Sequence, residues 1–271
     1  MQTAGAQNEG VLLEIDALSK TFRGLHAVDG YHVSVRPGEI LGIIGPNGAG
    51  KSTVFNLLTG HLRASSGIIR FRGTDITGLP PDRIARLGIG RTFQNIRLFP
   101  SMSVLENVVA ARQLRQRSSF LSTLVSWPSF QRTERELASH ATEALSLFGL
   151  SGRTSVPATA LPYGDQRRLE IVRALALEPV LLLLDEPTAG MNAAESMQIL
   201  DLIRQIRGRY HLTIILVEHN MPLVMTLCER IQVLNYGRLI AEGTPEEVRK
   251  DPKVVESYLG QTAEDAQARI G

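Results

Sequence analysis

The stretch that decides the fold runs from residue 40 to residue 52 and reads Ile40-Leu-Gly-Ile-Ile-Gly45-Pro-Asn-Gly-Ala-Gly50-Lys51-Ser52. Its first residues form an apolar run that predicts a buried strand, and a glycine-rich turn follows. A helix is predicted from about Lys51 to Thr59. This lysine and hydroxyl spacing, set between a strand and a helix, is typical of a phosphate-binding loop. We therefore expect a phosphate site at residues 45–52.

The residue types of this loop predict magnesium ATP as its ligand. Glycines let backbone N–H groups turn toward phosphate oxygens, and the helix N-terminus adds partial positive charge. Lys51 is predicted to reach the β- and γ-phosphates, and Ser52 is predicted to ligate Mg²⁺. The residues expected to bind the nucleotide here are Gly45, Pro46, Asn47, Gly48, Ala49, Gly50, Lys51, Ser52 and Thr53.

Two carboxylates, Asp185 and Glu186, follow a run of four leucines at residues 181–184. The run predicts a buried strand, and α/β sheets bind ligands at the carboxyl ends of their strands. Asp185 suits the magnesium shell, and Glu186 is placed to polarise an attacking water as general base. Two acids after an apolar run are by themselves also typical of a solvated pair. The phosphate loop upstream favours the hydrolytic interpretation.

Composition and hydrophobic patterning predict a globular α/β protein. The 271 residues are 43% hydrophobic and 21% charged, enough to bury a sizeable core. Strands alternate with helices on both sides of the loop, which predicts a sheet with parallel members. Helical periodicity from Ser103 to Leu150 interrupts this alternation. We expect a nucleotide-binding core with a β subdomain (11–95 and 160–240), a helical insert (96–159), a C-terminal appendage (241–260) and polar tails (1–10 and 261–271).

Charge, cysteine content and hydropathy exclude several classes of protein. A formal net charge of +2 argues against nucleic acid as a partner. The single cysteine, Cys228, cannot form an intramolecular disulfide and is expected to fill the core, as in proteins of reducing compartments. No signal peptide is visible in residues 1–10, and no apolar stretch approaches the roughly 20 residues of a membrane span. We therefore expect that the chain does not cross a membrane itself.

A further stretch gives the sequence a specific resemblance. It reads Leu161-Pro-Tyr-Gly-Asp165-Gln-Arg-Arg-Leu-Glu170 and precedes the acidic strand by a short helix. It resembles the signature motif of ABC-transporter ATPases. In Arg91-Thr-Phe-Gln-Asn95, Gln94 resembles the glutamine of that family's Q-loop.

Three more motifs of the ABC family match in order along the chain. Ala189-Gly-Met-Asn192 resembles the D-loop, His219 resembles the switch histidine, and Phe22 resembles the aromatic residue that stacks on adenine. Phe22 is also explained as a core aromatic, because one aromatic residue between strands carries little information. The resemblance covers about residues 11–260. It implies a P-loop NTPase (RecA-like) α/β core with an antiparallel β subdomain and an inserted helical subdomain.

The resemblance also implies roles for these residues. Two subunits face each other head to tail, and each ATP lies between one phosphate loop and the other subunit's signature motif. Gly164 then presents its backbone N–H to the partner's γ-phosphate, His219 contacts the γ-phosphate of its own site, and Gln94 links the site to the membrane partner. The implied catalytic residues are Glu186, His219, Lys51 and Gln94, and the implied metal ligands are Ser52, Gln94 and Asp185.

Within the family, the stretch from Arg91 to Pro100, the long insert and the closing Tyr258-Leu-Gly260 resemble LivG-type subunits. Such subunits energise importers of branched-chain amino acids. This implies a homo- or heterodimer of ATPase subunits, transmembrane permease subunits and, indirectly, a periplasmic solute-binding protein. It also implies a peripheral location on the cytoplasmic face of the inner membrane and no nucleic-acid partner. The alternative is an ATPase subunit for another amino acid, urea or a lipid.

The signature departs from the usual family pattern at three positions. Pro162 replaces the usual serine and offers neither a hydroxyl nor a backbone N–H. Tyr163 stands where a first glycine is common. Asp165 stands where glutamine is common, and we expect it to accept from a ribose hydroxyl rather than touch phosphate. In the insert, the apolar stretch Phe120–Phe130 is either a buried hairpin or a contact surface.

Other ATPase classes do not fit this pattern. A DNA-repair member of the family would carry a long coiled coil at the insert, and a ribosome-acting member would carry two cassettes with a basic linker. A P-loop kinase or GTPase would lack the signature motif and His219. The sequence therefore predicts a transporter ATPase.

Overall fold

The computed structural model describes residues 10–113, 139 and 141–258. Its strands are β1 (Leu13–Phe22), β2 (Leu25–Val35), β3 (Ile40–Ile44), β4 (Ser66–Phe71), β5 (Thr74–Asp75), β6 (Ile89–Arg91), β7 (Leu181–Asp185), β8 (Thr213–Val217), β9 (Arg230–Asn235) and β10 (Arg238–Gly243). Its helices are Lys51–Leu58, Pro81–Arg86, Val104–Gln113, 141–147, Tyr163–Ala176, Ala193–Tyr210, Met221–Leu227, Pro245–Lys250 and 252–258. Short helical turns occur at Ser151–Arg153 and Ala158–Ala160.

The larger of the two sheets has six strands in the order β10-β9-β3-β8-β7-β6. Strand β10 is antiparallel to β9, and the other neighbouring pairs are parallel. Strands β3, β7 and β8 are buried along their whole length, which explains their continuous apolar runs. Because these strands are parallel, the residues that follow them meet at one edge of the sheet. That edge receives the glycine-rich loop, the two acids and His219.

The smaller sheet has four antiparallel strands in the order β2-β1-β4-β5. Strands β1 and β2 form a hairpin whose two-residue turn, Arg23 and Gly24, has φ angles of 45° and 92°. Positive φ at both positions matches the twist of the flanking strands. This sheet confirms the predicted antiparallel β subdomain.

Alternate residues of the larger sheet face two different cores. Ile40 and Ile44 pack with the helices that cover one face. Leu41 and Ile43 pack with the smaller sheet and the helix Lys51–Leu58 on the other face. The two-residue period of a strand thus builds a layered α/β domain. Cys228 is buried in the helical core, as expected.

The predicted strands and helices are present, with differences at their ends. The hydrophobic pattern predicts a strand only at residues 31–35, but β2 begins at Leu25, because its first residues pair with β1 despite weak alternation. The pattern predicts a strand at residues 239–241, and β10 extends from Arg238 to Gly243. The two-residue strand β5 and the helix Met221–Leu227 were not predicted, since both are too short for clear periodicity. Phe120–Phe130 lies outside the described residues. Within the described residues, no helix has the length and apolar character needed to span a membrane.

Candidate active site

The phosphate loop connects β3 to the helix Lys51–Leu58, and two of its glycines are required by packing. Gly45 has φ 147°, and a Cβ there would lie 2.0 Å from the carbonyl oxygen of Leu234. Gly50 has φ 104°, and a Cβ there would lie 2.5 Å from the carbonyl oxygen of Ala27. No side chain fits at these distances. The loop therefore packs closely against β9 and β2.

Lys51 starts the helix and places its ammonium inside the loop. Its side chain is buried, and Nζ donates to the carbonyl oxygens of Gly45 at 2.6 Å and Pro46 at 2.8 Å. Burial lowers the pKa of Lys51 to about 8, although the nearby carboxylates of Glu186 and Asp185 oppose this shift. The neighbouring Ser52 is exposed. The loop thus holds a buried cation near the carboxylates of Asp185 and Glu186.

Asp185 ends β7 and has one carboxylate oxygen available to a metal. Its side chain is buried, and Arg91 Nη2 donates to Oδ2 at 3.0 Å. Its other oxygen, Oδ1, is buried and has no hydrogen-bond partner among the described residues. Burial raises the pKa of Asp185, and Arg91 opposes that shift through its hydrogen bond and its charge. An unpartnered carboxylate oxygen is the type of ligand that Mg²⁺ prefers, and the hydroxyl of Ser52 on the phosphate loop is a second oxygen of that type.

Glu186 lies between the two predicted partners of the hydrolytic reaction. Gln94 Nε2 donates to Glu186 Oε2 at 3.0 Å, and His219 Nε2 lies 2.6 Å from Oε1. Glu186 itself adopts a φ of 48°, a left-handed conformation that is uncommon for a residue with a side chain. Such backbone outliers cluster at functional sites. The structure therefore brings Gln94, Glu186 and His219 together at the edge that holds the phosphate loop.

Glu218 is a site residue that sequence reasoning missed. Its buried carboxylate accepts hydrogen bonds from the N–H of Thr188 at 3.0 Å, the Thr188 hydroxyl at 2.6 Å and the N–H of His219 at 3.1 Å. It thereby joins Thr188, which directly precedes the segment 189–192, to the backbone of His219. Its position directly after the buried strand β8, like that of Glu186 directly after β7, was a signal that could have found it.

Arg167 and Glu170 form a second missed group, on the signature helix (Tyr163–Ala176). Arg167 is fully buried and donates to the carbonyl oxygens of Phe93 at 2.5 Å and Gln94 at 2.8 Å. Glu170 accepts from the N–H of Phe93 at 3.2 Å and pairs with Arg167 at 2.8 Å. The signature helix is therefore hydrogen-bonded to the backbone of Phe93 and Gln94. The signal in the sequence was a charged pair, three residues apart, on the apolar face of a helix.

The remaining predicted residues lie outside this group of contacts. Gly164 lies in the first turn of the signature helix, and a Cβ there would meet no heavy atom within 4 Å. Asp165 pairs with Arg153 and, at 3.7 Å, with Arg168, so its carboxylate is engaged within its own chain. Phe22 is 42% exposed at the end of β1 and is therefore not a core residue. Among the described residues, no hydrogen bond joins these three to Lys51, Asp185 or Glu186.

Comparisons with known proteins identify the family of this chain. A sequence model described as ABC transporter matches residues 28–189, and one described as branched-chain amino acid ATP-binding cassette transporter matches residues 238–264. The high-affinity branched-chain amino acid transport ATP-binding protein LivG of Escherichia coli (strain K12) is 44% identical over 250 residues, covering 92% of this chain and 98% of LivG. BraF of Pseudomonas aeruginosa, which carries the same description, is 43% identical with the same coverage.

A solved structure shows the same fold with nucleotide. It is the ADP conformation of MJ1267, an ATP-binding cassette of an ABC transporter, with a TM-score of 0.81 and 33% identity. The match covers 92% of this chain and 99% of that one. Together with the sequence matches and the site geometry, this shows that the chain belongs to the ATP-binding cassette family of ABC transporters.

Proposed function

We propose that this chain hydrolyses magnesium ATP to energise an importer of branched-chain amino acids. The observation that carries the hydrolytic part is the placement of Glu186 between Gln94 and His219, one residue beyond the partly free carboxylate of Asp185. The substrate class is supported by the names of LivG and BraF and by the family match at residues 238–264.

Binding uses the loop and its lysine. Backbone N–H groups of the loop glycines and of Lys51, together with the N-terminus of the helix Lys51–Leu58, are proposed to accommodate the phosphate oxygens. Lys51 exchanges the carbonyl oxygens of Gly45 and Pro46 for the β- and γ-phosphates. Ser52, Asp185 through Oδ1 and the amide oxygen of Gln94 are the proposed magnesium ligands. The metal, when bound, neutralises charge on the β- and γ-phosphate oxygens.

Hydrolysis uses the group around Glu186. A water attacks the γ-phosphorus in line with the leaving ADP oxygen, and Glu186 takes the proton that this water loses. Gln94 and His219 hold both oxygens of that carboxylate, so its orientation is set before the reaction. On closure around ATP, His219 is also proposed to contact the γ-phosphate of its own site.

The complete site requires a second subunit. Gly164 of one subunit is proposed to donate its N–H to the γ-phosphate bound by the other, in a homo- or heterodimer. Phe22 is proposed to stack on adenine, and Asp165 to face the ribose. The dimer would dock on transmembrane permease subunits at the cytoplasmic face of the inner membrane. A periplasmic solute-binding protein would act indirectly, and no nucleic acid is involved.

The substitution Glu186→Gln tests the proposed chemistry. The amide keeps the size and hydrogen bonding of the carboxylate but cannot take a proton from water. We expect ATP binding to remain, hydrolysis to fall at least about 100-fold, and an ATP-bound dimer to accumulate in size-exclusion chromatography with ATP and Mg²⁺. Glu246→Gln, at an exposed position, is the matched control and should behave as the parent. A monomeric Glu186→Gln protein with intact hydrolysis would contradict the assignment.

A further inference from the structure

Arg91 is a buried cation that has no role in the proposed mechanism of ATP hydrolysis. It ends the short strand β6 and stands three residues before Gln94. Its side chain is 7% exposed, and its partner, the Asp185 side chain, is 3% exposed. Burying a guanidinium costs free energy unless its N–H groups form hydrogen bonds or ion pairs. The contacts of Arg91 therefore indicate its role.

The guanidinium is held from several directions. Nη1 donates to Asn56 Oδ1 and to Thr59 Oγ1, both at 2.8 Å, at the carboxyl end of the helix Lys51–Leu58. Its carbon Cζ lies 5.6 Å from the ring centroid of Phe55 and 4.8 Å from that of Phe93. Two aromatic rings and two acceptors therefore fix the plane of the group, and the negative end of the helix dipole favours a cation there.

This fixed group determines which oxygen Asp185 can offer. Arg91 Nη2 binds Oδ2 at 3.0 Å, and the Asp185 N–H is held by Thr92 Oγ1 at 3.2 Å. Oδ1 is left buried and without a hydrogen-bond partner among the described residues. Groups that bind the second oxygen of a metal-ligating carboxylate fix its orientation and strengthen metal binding.

We propose that Arg91 is a positioning residue that holds Asp185 so that Oδ1 faces the magnesium of bound ATP. The inference rests on the proposed function, because it needs Asp185 to be a magnesium ligand. It explains why the position holds an arginine. A lysine ammonium has no planar fork and cannot reach Asp185, Asn56 and Thr59 in this geometry while stacking between two rings.

The test measures how much Mg²⁺ tightens ATP binding. The full chain carrying Glu186→Gln is used as the parent, so that ATP is not consumed, and ATP affinity is measured by calorimetry with Mg²⁺ and with EDTA. The ratio of the two affinities is the magnesium gain. We expect Arg91→Lys and Arg91→Met to lower this gain about 10-fold, with the affinity in EDTA changed by no more than about 2-fold.

Two further variants separate positioning from general damage. Arg97→Met is the matched control, because Arg97 stacks on the same Phe93 ring at 4.2 Å but makes no described contact with Asp185. It should keep the parental gain. Asn56→Ala removes one hydrogen-bond acceptor of Arg91 and leaves the contact between Arg91 and Asp185 in place. It should lower the magnesium gain by a smaller factor than the Arg91 variants do. Thermal melting of each variant reports folding, and Asn56→Ala and Arg91→Lys carry the test if Arg91→Met does not fold.

The outcomes are distinguishable. If Arg91→Lys kept the magnesium gain of the parent, the positioning role would be overturned. An increased magnesium gain in Arg91→Met would also overturn it, because this result would mean that Arg91 competes with the metal for Asp185. Equal losses of affinity in Mg²⁺ and in EDTA would also overturn it, because they indicate a structural role. A parent protein whose ATP affinity does not respond to Mg²⁺ would refute the magnesium assignment itself.

Discussion

Lys51 shows how a single residue can be placed for a ligand at some cost to the empty protein. Its ammonium is buried, its pKa is lowered to about 8 by burial, and two carbonyl oxygens of its own loop satisfy it. Phosphate oxygens carry more negative charge than carbonyl oxygens, so the exchange on binding is favourable. The preformed position of the ammonium also means that little side-chain entropy is lost at that step.

We predict that Lys51→Ala abolishes nucleotide turnover, with a loss of at least about 100-fold, because the loop loses its cation against the β- and γ-phosphates. Phosphate release with ATP and Mg²⁺ is the measurement, and circular dichroism reports whether the variant is folded. Lys250→Ala, at an exposed position at the end of the helix Pro245–Lys250, is the matched control. Hydrolysis at the parental rate in Lys51→Ala would refute the assignment of the phosphate loop.

At the scale of elements, the signature helix (Tyr163–Ala176) has a glycine in its first turn and a buried charged pair further along its length. Its N-terminus presents Gly164, while Arg167 and Glu170 one turn later hold the Q-loop. Pro162 caps the helix with an extended ψ of 152° and without a side-chain hydrogen bond. The helix therefore keeps a free N–H at its start, and the dipole favours an anion there.

We predict that Gly164→Val nearly abolishes ATPase activity in the assembled transporter while ATP binding by the single subunit survives. A Cβ at this position meets no heavy atom within 4 Å of its own chain, so the effect should arise only when the partner's phosphate approaches. Turnover of the reconstituted complex and calorimetry of the free subunit measure the two parts.

Pro162→Ser is the comparison at the same helix end. A serine restores a hydroxyl and is a favoured N-cap residue, so we expect a change in turnover of at most about 10-fold and no loss of stability. The ranking of the two variants is the result that matters. If Gly164→Val left turnover intact while Pro162→Ser destroyed it, the segment at Leu161 would not act as a phosphate clamp across the dimer.

At the scale of the whole molecule, the larger sheet places one half of the proposed composite site at the carboxyl ends of its parallel strands. The loop, Asp185, Glu186 and His219 come from β3, β7 and β8, whose carboxyl ends meet there. Gly164 belongs to the signature helix, whose Arg167 donates hydrogen bonds to the backbone carbonyl oxygens of Phe93 and Gln94. A second copy of the chain or a related subunit is therefore the proposed source of the missing donor.

We predict that the isolated subunit is a weak and mostly monomeric ATPase, and that reconstitution with permease subunits raises its turnover. The physical reason is that the permease holds two subunits close together, which raises their effective concentration. Addition of a solute-binding protein loaded with leucine should raise turnover further, whereas the same protein without solute should not. Equal specific activity alone and in the assembled complex would count against this coupling.

The sequence alone determined the fold class of this protein and predicted the positions of its phosphate loop and its two acids. Gly45–Ser52 and the acids Asp185 and Glu186 were predictable because each group follows a buried strand directly, so a short window contains both the element and its functional end. The role of Arg91 was not predictable, because its partner Asp185 lies 94 positions further along the chain. The hydrogen bond from Arg167 to the carbonyl oxygen of Phe93 likewise joins residues 74 positions apart. Only the tertiary structure decided these contacts, because sequence periodicity reports which face of an element is buried and carries no information about which distant backbone packs against it.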